Sequence, residues 1–407
     1  MNLRRLWYDP ELPQTFYVLL WGRLFNMIGN SLVFTFLSLY LASRLNGSMS
    51  LVGITLALYG VVQVAAVLAG GILADAWGRR RVMLLSLGGG AVACFLVGSM
   101  HPLWAVFPAL GLMGTLMPLF QPASMALTAD IVPQHKLNQA YGLLRMASNA
   151  GIMIGPMLGS FLADIGYFWL FAVDAVTLLI FLAIVWRRIP ETGPTHHESA
   201  RSTFEGLLAV SRDRPFLGFA ALWSLTYVVY SQLYQVVPAY LHLRLHFPPG
   251  VFGYLAAENA LLVVLLQQPI IRWVSRIPGR WPLSVGLFCY AVGFALMLHG
   301  RWLLTFGIAV AVITIGENLV NPTASTWVAE RADPRLRGRY LGFFSLAQRV
   351  GQSVGPLAGG FLVTVGATPW LLSIAGVALL TGAGYRRVRA ARATPISPPT
   401  PSRAAAP

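Results

Sequence analysis

GGILADAWGRRRV, residues 70–82, sets one Asp and three consecutive Arg in a short gap between two long apolar runs. The rest of the chain explains the gap. Of 407 residues, 56% are hydrophobic and 11% are charged, whereas a soluble domain carries about 25% charged residues. This is the composition of a membrane protein, and the gap is a loop between two crossings. The formal net charge is +15, and all 29 basic residues are Arg except Lys136. They fall in the breaks between apolar runs, which points to a bilayer and away from nucleic acid. Cys94 and Cys289 both lie inside apolar runs, so no disulfide framework is implied. The first apolar run, residues 15–41, is too long for the core of a cleavable signal peptide.

A helix needs about 20 apolar residues to cross a bilayer. Twelve runs qualify: residues 15–42, 50–74, 82–100, 103–130, 139–165, 167–187, 215–242, 250–275, 282–299, 302–329, 339–365 and 368–385. All are expected to be helical, because lipid offers no partner to a free backbone amide. With the N-terminus inside, Arg4, Arg5, Arg79, Arg80, Arg81, Lys136, Arg187, Arg188, Arg212, Arg214, Arg335 and Arg337 fall on the cytoplasmic side. The opposite side holds only Arg44, Arg244 and Arg301. That bias makes both termini cytoplasmic in a multi-pass protein of the cell membrane. The expected organisation is a six-helix bundle over 1–187, a cytoplasmic loop over 188–213, a second bundle over 214–385 and a disordered cytoplasmic tail over 386–407.

The two halves repeat each other. PASMALTADIV (122–132) matches PTASTWVAERA (322–332), and YGLLRMASNAGIMIGPMLGSFLADIG (141–166) matches LGFFSLAQRVGQSVGPLAGGFLVTVG (341–366). At a constant offset of 200, Pro122, Ala129, Gly142, Ala147, Gly151, Gly155, Pro156, Gly159, Phe161, Leu162 and Gly166 meet identical residues, and Asp130 meets Glu330. Two six-helix halves of one orientation are the parallel repeat of a transporter, with a binding site at their interface near the membrane midplane. The fold class is therefore all-α: twelve transmembrane helices in two pseudo-symmetric bundles.

The opening stretch, Gly71-x3-Asp75-x2-Gly78-Arg79-Arg80, resembles motif A of the major facilitator superfamily, with Ala76 where that family usually has Arg or Lys. The resemblance covers nearly the whole chain. It implies that Asp75 approaches the start of the eleventh span, where a helix N-terminus favours an anion. It also implies that Arg79 pairs with Asp130, together forming a latch of the outward-open state. Gly151-x3-Gly155-Pro156-x2-Gly159 resembles motif C, which marks antiporter subgroups. Glycines four apart let helices approach closely, and the proline frees a carbonyl. The Arg often found in the fourth span of the drug:proton antiporter branch is absent: LGLMGTLMPLFQP, residues 110–122, holds no charge.

Ionisable residues inside a membrane are functional candidates by default. Glu317 lies about 15 residues into the tenth span, near mid-depth, and its repeat partner is Met117, so the fold does not demand an acid there. It is the first candidate proton carrier. Glu258, in the outer half of the eighth span, is a second. A carboxylate in a low-dielectric cavity can load and release a proton near neutral pH. Asp174 reads as structural. Arg23, Asn26 and Asn30 form a polar stripe that should face the cavity, as should Arg145 with Asn149, Asn321 beside Glu317, and Gln348 with Gln352. Arg349 lies one position off that last face and is expected to pair with lipid phosphate. Tyr227, Tyr230 and Tyr234 share a face suited to an amphipathic or cationic substrate.

The leading expectation is a secondary transporter exporting small amphipathic molecules in exchange for protons, with the proton gradient as energy source and no cofactor or metal. The alternative is a carrier for a metabolite such as a sugar, peptide or lysolipid, for which Arg23 and Arg145 would grip an anionic substrate. No Walker-type loop, metal cluster or nucleophile constellation stands in the sequence, so it is not read as an enzyme. The expected partners are a small-molecule substrate, protons and the lipid bilayer, without nucleic acid. The resemblance implies a monomer.

Overall fold

The computed structural model describes residues 9–191, 210, 212–274, 281–300, 302–331 and 337–388. Most of the expected loop at 188–213, including His196 and His197, and nearly all of the tail at 386–407 lie outside the described residues. The described residues form twelve long helices. They are α1 (Gln14–Arg44), α2 (Met49–Trp77), α3 (Arg79–Ser99), α4 (Leu103–Ile131), α5 (Leu137–Ile165), α6 (Tyr167–Arg188), α7 (Arg214–Gln235, continued by Val237–Leu245), α8 (Val251–Val274), α9 (Trp281–His299), α10 (Leu303–Arg331), α11 (Arg337–Val365) and α12 (Ala367–Arg387). Ten of these are long and apolar enough to cross a membrane, and α8 and α11 complete the set.

Prolines shape the helices where they fall inside them. A 3₁₀ turn at Met117–Leu119, carrying Pro118, interrupts α4, and α7 breaks at Val236, two residues before Pro238. Asp213 caps α7 by accepting from the Phe216 amide at 3.1 Å, which satisfies one of the donors a helix start leaves open. The symmetry reaches the turns: φ is 155° at Gly166, between α5 and α6, and 154° at Gly366, between α11 and α12.

Glycines set the tightest packing. In the first half α5 lies on α1: a Cβ at Gly151 would meet the Leu24 carbonyl at 2.8 Å, and one at Gly155 the Ile28 carbonyl at 2.6 Å. In the second half α11 lies on α7 in the same way, with Gly351 against the carbonyl of Ser224 and Gly355 against that of Val228. Side chains on the facing helices add bonds to backbone carbonyls of these motifs. Ser31 Oγ donates to Gly151 O at 3.1 Å, and Gln232 Nε2 donates to Gly355 O at 2.7 Å. Trp370 Nε1 on α12 then donates to Gln232 Oε1 at 3.0 Å.

The halves meet at the face where α2 and α8 begin and α5 and α11 end. Gly53 sits on Pro356 and Gly60 on Ser353, while Gly253 sits on Pro156 and Ser160. The Gly250 amide donates to Asp164 Oδ1 at 2.9 Å. Along α1 every residue from Ser31 to Ala42 except Phe34 is buried, whereas Trp21 and Phe25 nearer its start are exposed. Toward the Arg-rich face the halves part. A Cβ placed at Gly71, Gly142 or Gly342 would meet no described atom of a neighbouring helix within 4 Å. Among the described residues the glycine contacts between the halves thus gather at the face away from the Arg-rich one.

Candidate functional site

At the Arg-rich end of α2, the residues of the opening stretch form a compact ion-pair network. Gly78 joins α2 to α3 with φ 99°, a left-handed conformation that suits glycine. The turn delivers Arg79 into the protein. Its Nε lies 3.1 Å from Asp130 Oδ2, its Nη2 3.1 Å from Asp75 Oδ1, and its Nη1 donates to the Ala74 carbonyl at 3.2 Å. Arg79 and Asp130 are buried, but the Asp75 side chain is 56% exposed. Among the described residues Asp75 therefore meets Arg79 with most of its side chain left exposed. Glu191, which the sequence reading passed over, lies beside Gly78: it accepts from the Arg80 amide at 3.1 Å and sits 3.8 Å from Arg81. Arg80 itself donates to the Trp186 carbonyl.

A matching brace stands in the second half. Arg331, at the end of α10, makes a two-pronged ion pair with Asp213 through Nη2 at 2.6 Å and Nε at 2.9 Å, and Tyr340 on α11 donates to the same carboxylate at 3.0 Å. Burial opposes the charge on Asp213. Arg331, the Phe216 amide and Tyr340 nonetheless hold its carboxyl below the usual carboxylate range. None of these residues entered the sequence reading of the site. The available signal was an Asp two residues before Pro215, the pattern of a helix start.

Near the midplane of the second half, Glu317 is embedded in neutral donors. Tyr230 donates to its Oε1 at 2.9 Å and Asn259 to its Oε2 at 3.1 Å, and Asn321 Nδ2 lies 3.5 Å from Oε1. The shell is itself fixed. Tyr234 donates to Asn259 Oδ1 at 2.6 Å, Asn259 donates to Thr314 at 2.8 Å, and Tyr227 donates to Asn321 Oδ1 at 3.3 Å. Tyr227, Tyr230, Tyr234, Asn321 and Glu317 therefore form one network. Asn259 completes it, although the sequence drew attention to its neighbour Glu258. That carboxylate lies instead near Gly307, ten residues before Glu317 on α10, because adjacent helix positions face about 100° apart.

The arginines line a second wall, built from α1 and α5 of the first half and α11 of the second. Arg23 Nε donates to Ser148 Oγ on α5 at 2.9 Å. Arg349 does not reach for lipid phosphate. Its Nη2 crosses between the halves and donates to Gln121 Oε1 on α4 at 3.0 Å. It also lines, with Gln352, Ser353, Tyr59, Gln63 and Gln235, a cavity of about 20 Å³, room for one water. Arg145 and Asn149 are exposed on α5, Asn26 is buried, and Asn30 and Gln348 are half-buried. Asp174 is fully buried away from this wall, beneath Gly29 and in contact with the Cys94 thiol at 3.4 Å.

Two repeated six-helix bundles around a polar, midplane interface closed at one face define a secondary transporter. The chain belongs to the Major Facilitator Superfamily, whose sequence profile matches residues 19–257 and 245–406. It is 28% identical over 378 residues to the multidrug resistance protein MdtH of Yersinia enterocolitica, covering 90% of this chain and 92% of that one. It is 26% identical over 370 residues to a Na(+), Li(+), K(+)/H(+) antiporter of Planococcus maritimus, covering 83% and 87%. Its fold matches the crystal structure of a mutant of the nucleoside transporter NupG with a TM-score of 0.77 at 15% identity, over 92% of this chain and all of that one. It is a multi-pass membrane transporter of a small molecule, and its relatives are transporters rather than enzymes.

Proposed function

We propose that this protein is a proton-coupled antiporter of the cell membrane that exports small amphipathic molecules by alternating access, with both termini cytoplasmic. On that orientation the contacts between the halves lie on the extracellular side, as an inward-facing state requires. The observation that carries the reading is Glu317. It is a midplane carboxylate in the wall of the interface, bonded to Tyr230 and Asn259, and among the described residues no cation lies within ion-pair distance. A carboxyl held only by neutral donors keeps a stable place in both its charged and its protonated forms, which is what a carrier of protons requires. The names of the MdtH and cation/proton antiporter relatives support export and exchange.

Transport in proteoliposomes under an imposed pH gradient tests this, with lipophilic cations, neutral drugs and aromatic acids as solutes. Wild type should concentrate at least one solute against its gradient. Glu317→Gln should abolish uphill movement while downhill equilibration persists. Uphill transport by that variant would remove Glu317 from the proton path.

A further inference from the structure

Resting on the reading of this chain as a transporter, we propose that its cavity takes organic anions: molecules carrying a carboxylate or similar acidic group on an aromatic or apolar body. The group would bridge Arg23 of the first half and Arg349 of the second.

The fold treats its arginines in two ways. Arg79 and Arg331, buried at the Arg-rich ends of their bundles, each meet a carboxylate at 3.1 Å or less. Arg23, Arg145 and Arg349 do not: among the described residues none of the three lies in an ion pair. Arg23 and Arg349 spend one donor each on a neutral side chain, Ser148 and Gln121. A guanidinium carries five N–H donors in a planar fork, so most of this capacity is unspent. Charges left without a counter-ion inside a membrane are costly and mark a ligand path.

Depth and direction agree. Arg23, Arg145 and Arg349 lie 9, 8 and 12 residues from the starts of α1, α5 and α11, about 12–18 Å along helices that all begin at the Arg-rich face. Arg349 is within electrostatic reach of Arg23 across the interface, and Arg145 is within reach of Tyr227. The three positive groups therefore lie at similar depth, and two of them, Arg23 and Arg349, face each other from opposite halves. A planar acidic group accepts two parallel bonds from such a fork, a geometry closed to a cation and met by a neutral headgroup only without charge assistance.

The facing wall suits the remainder of such a molecule. Tyr230 lies 5.5 Å from Tyr227, 5.6 Å from Tyr234 and 6.1 Å from Tyr290 between ring centroids. These rings present apolar faces, and the hydroxyls of Tyr227, Tyr230 and Tyr234 are tied to Asn321, Glu317 and Asn259. Glu317 on this wall is thus engaged by its own neighbours. An anion between Arg23 and Arg349 would also cancel the repulsion between two like charges on opposite halves, so binding would favour the state in which those halves close over it.

The test is equilibrium binding to the full chain in lipid nanodiscs, with no pH gradient, so that proton coupling does not enter the readout. Three probes share one ring system: 2-naphthoate, 2-naphthalenemethanol and 2-naphthylmethylammonium. Wild type should bind the carboxylate about tenfold or more tightly than the alcohol and reject the ammonium. Arg23→Gln and Arg349→Gln should each weaken naphthoate about tenfold while leaving the alcohol unchanged, which also reports an intact fold. Arg23→Lys and Arg349→Lys should fall between. Equal affinity for the three probes, preference for the ammonium, no naphthoate binding by wild type, or Gln variants that bind naphthoate as wild type does would each overturn the proposal.

Discussion

Gly53 lies against the carbonyl oxygen of Pro356, where a Cβ would approach to 2.4 Å. The pair at the offset of 200 behaves alike, with a Cβ on Gly253 placed 3.0 Å from the carbonyl oxygen of Pro156. The proline of each GP motif thus meets a glycine of the opposite half, and these two crossings close the far face. The atom that Gly53 meets is backbone and cannot rotate away. Gly53→Ala should therefore disfavour closure there and shift the population toward the state open at the far face. A cysteine at exposed Asn149, in protein lacking Cys94 and Cys289, would report it. Labelling by a membrane-impermeant thiol reagent from the Arg-rich side should fall about threefold or more. Unchanged labelling would mean that the crossing yields without cost.

The Arg79 network separates stability from conformational control. Arg79 is buried against Asp130, whereas Asp75 is more than half exposed. Arg79→Gln strips a guanidinium from a buried carboxylate and should cost on the order of 3 kcal/mol. Asp75→Asn removes a solvated partner and should cost less than about 1 kcal/mol. If Asp75 docks on the start of α11 only when the Arg-rich face closes, Asp75→Asn should still lower transport sharply. Thermal melts beside transport rates check both halves of this expectation. A near-wild-type rate for Asp75→Asn would remove the latch.

Much of this architecture could be read from the chain alone, because its causes are local or periodic. Apolar run length gives the helices, and the offset of 200 gives the pairing of Pro156 with Pro356. The Gly53 and Gly253 crossings carry the same offset, but nothing in either stretch says which helix of the other half it will meet. Asn259 was not legible because helix rotation, about 100° per residue, decides which of two neighbours meets Glu317. Arg349 was misread for the same reason: its backbone position is one step off the Gln348 face, yet a long side chain swings across the interface to Gln121. Glu191 and the Asp213–Arg331 pair depend on contacts more than 100 residues apart in sequence, beyond any local pattern.

That rotation gives a direct contrast between neighbours. Asn259 donates to both Glu317 and Thr314, while Glu258 faces Gly307. Asn259→Leu should lower gradient-driven transport about tenfold or more, since a bond to a charged group contributes about 1.5–3 kcal/mol. Glu258→Gln should stay within about twofold of wild type, as no bond of the Glu317 network is touched. A severe defect in Glu258→Gln would place that residue on the proton path.

The Asp213 brace predicts an acid-limited contribution to stability. Its carboxyl is held low by Arg331, the Phe216 amide and Tyr340 against the effect of burial. A depressed folded pKa contributes stability that is present above the unfolded value, about 3.9, and is lost as pH falls through the folded one. Arg331→Gln should therefore lower stability on the order of 2 kcal/mol. The gap to wild type should stay constant from about pH 5 to 8 and narrow only below about pH 4. Melting curves of both proteins across that range would show it. A gap that changes near neutral pH would assign the titration to another group.

Charge movement joins the two proposals. Exporting a monoanion while importing a proton carries two elementary charges inward in each 1:1 cycle, since the outgoing negative and the incoming positive add. Each charge crossing a membrane contributes about 2.3 kcal/mol per 100 mV. An inside-negative potential would then drive export even without a pH difference. Proteoliposomes with an imposed potassium diffusion potential should accumulate or expel 2-naphthoate according to its sign, at a rate rising with voltage. In Arg23→Gln the naphthoate flux should fall with its binding. A neutral solute would carry one charge per cycle and show the weaker dependence, whereas a monovalent cation exchanged 1:1 would show none. The voltage slope thus reads the charge of the substrate independently of affinity, and a slope of zero would contradict an anionic cargo exchanged for protons.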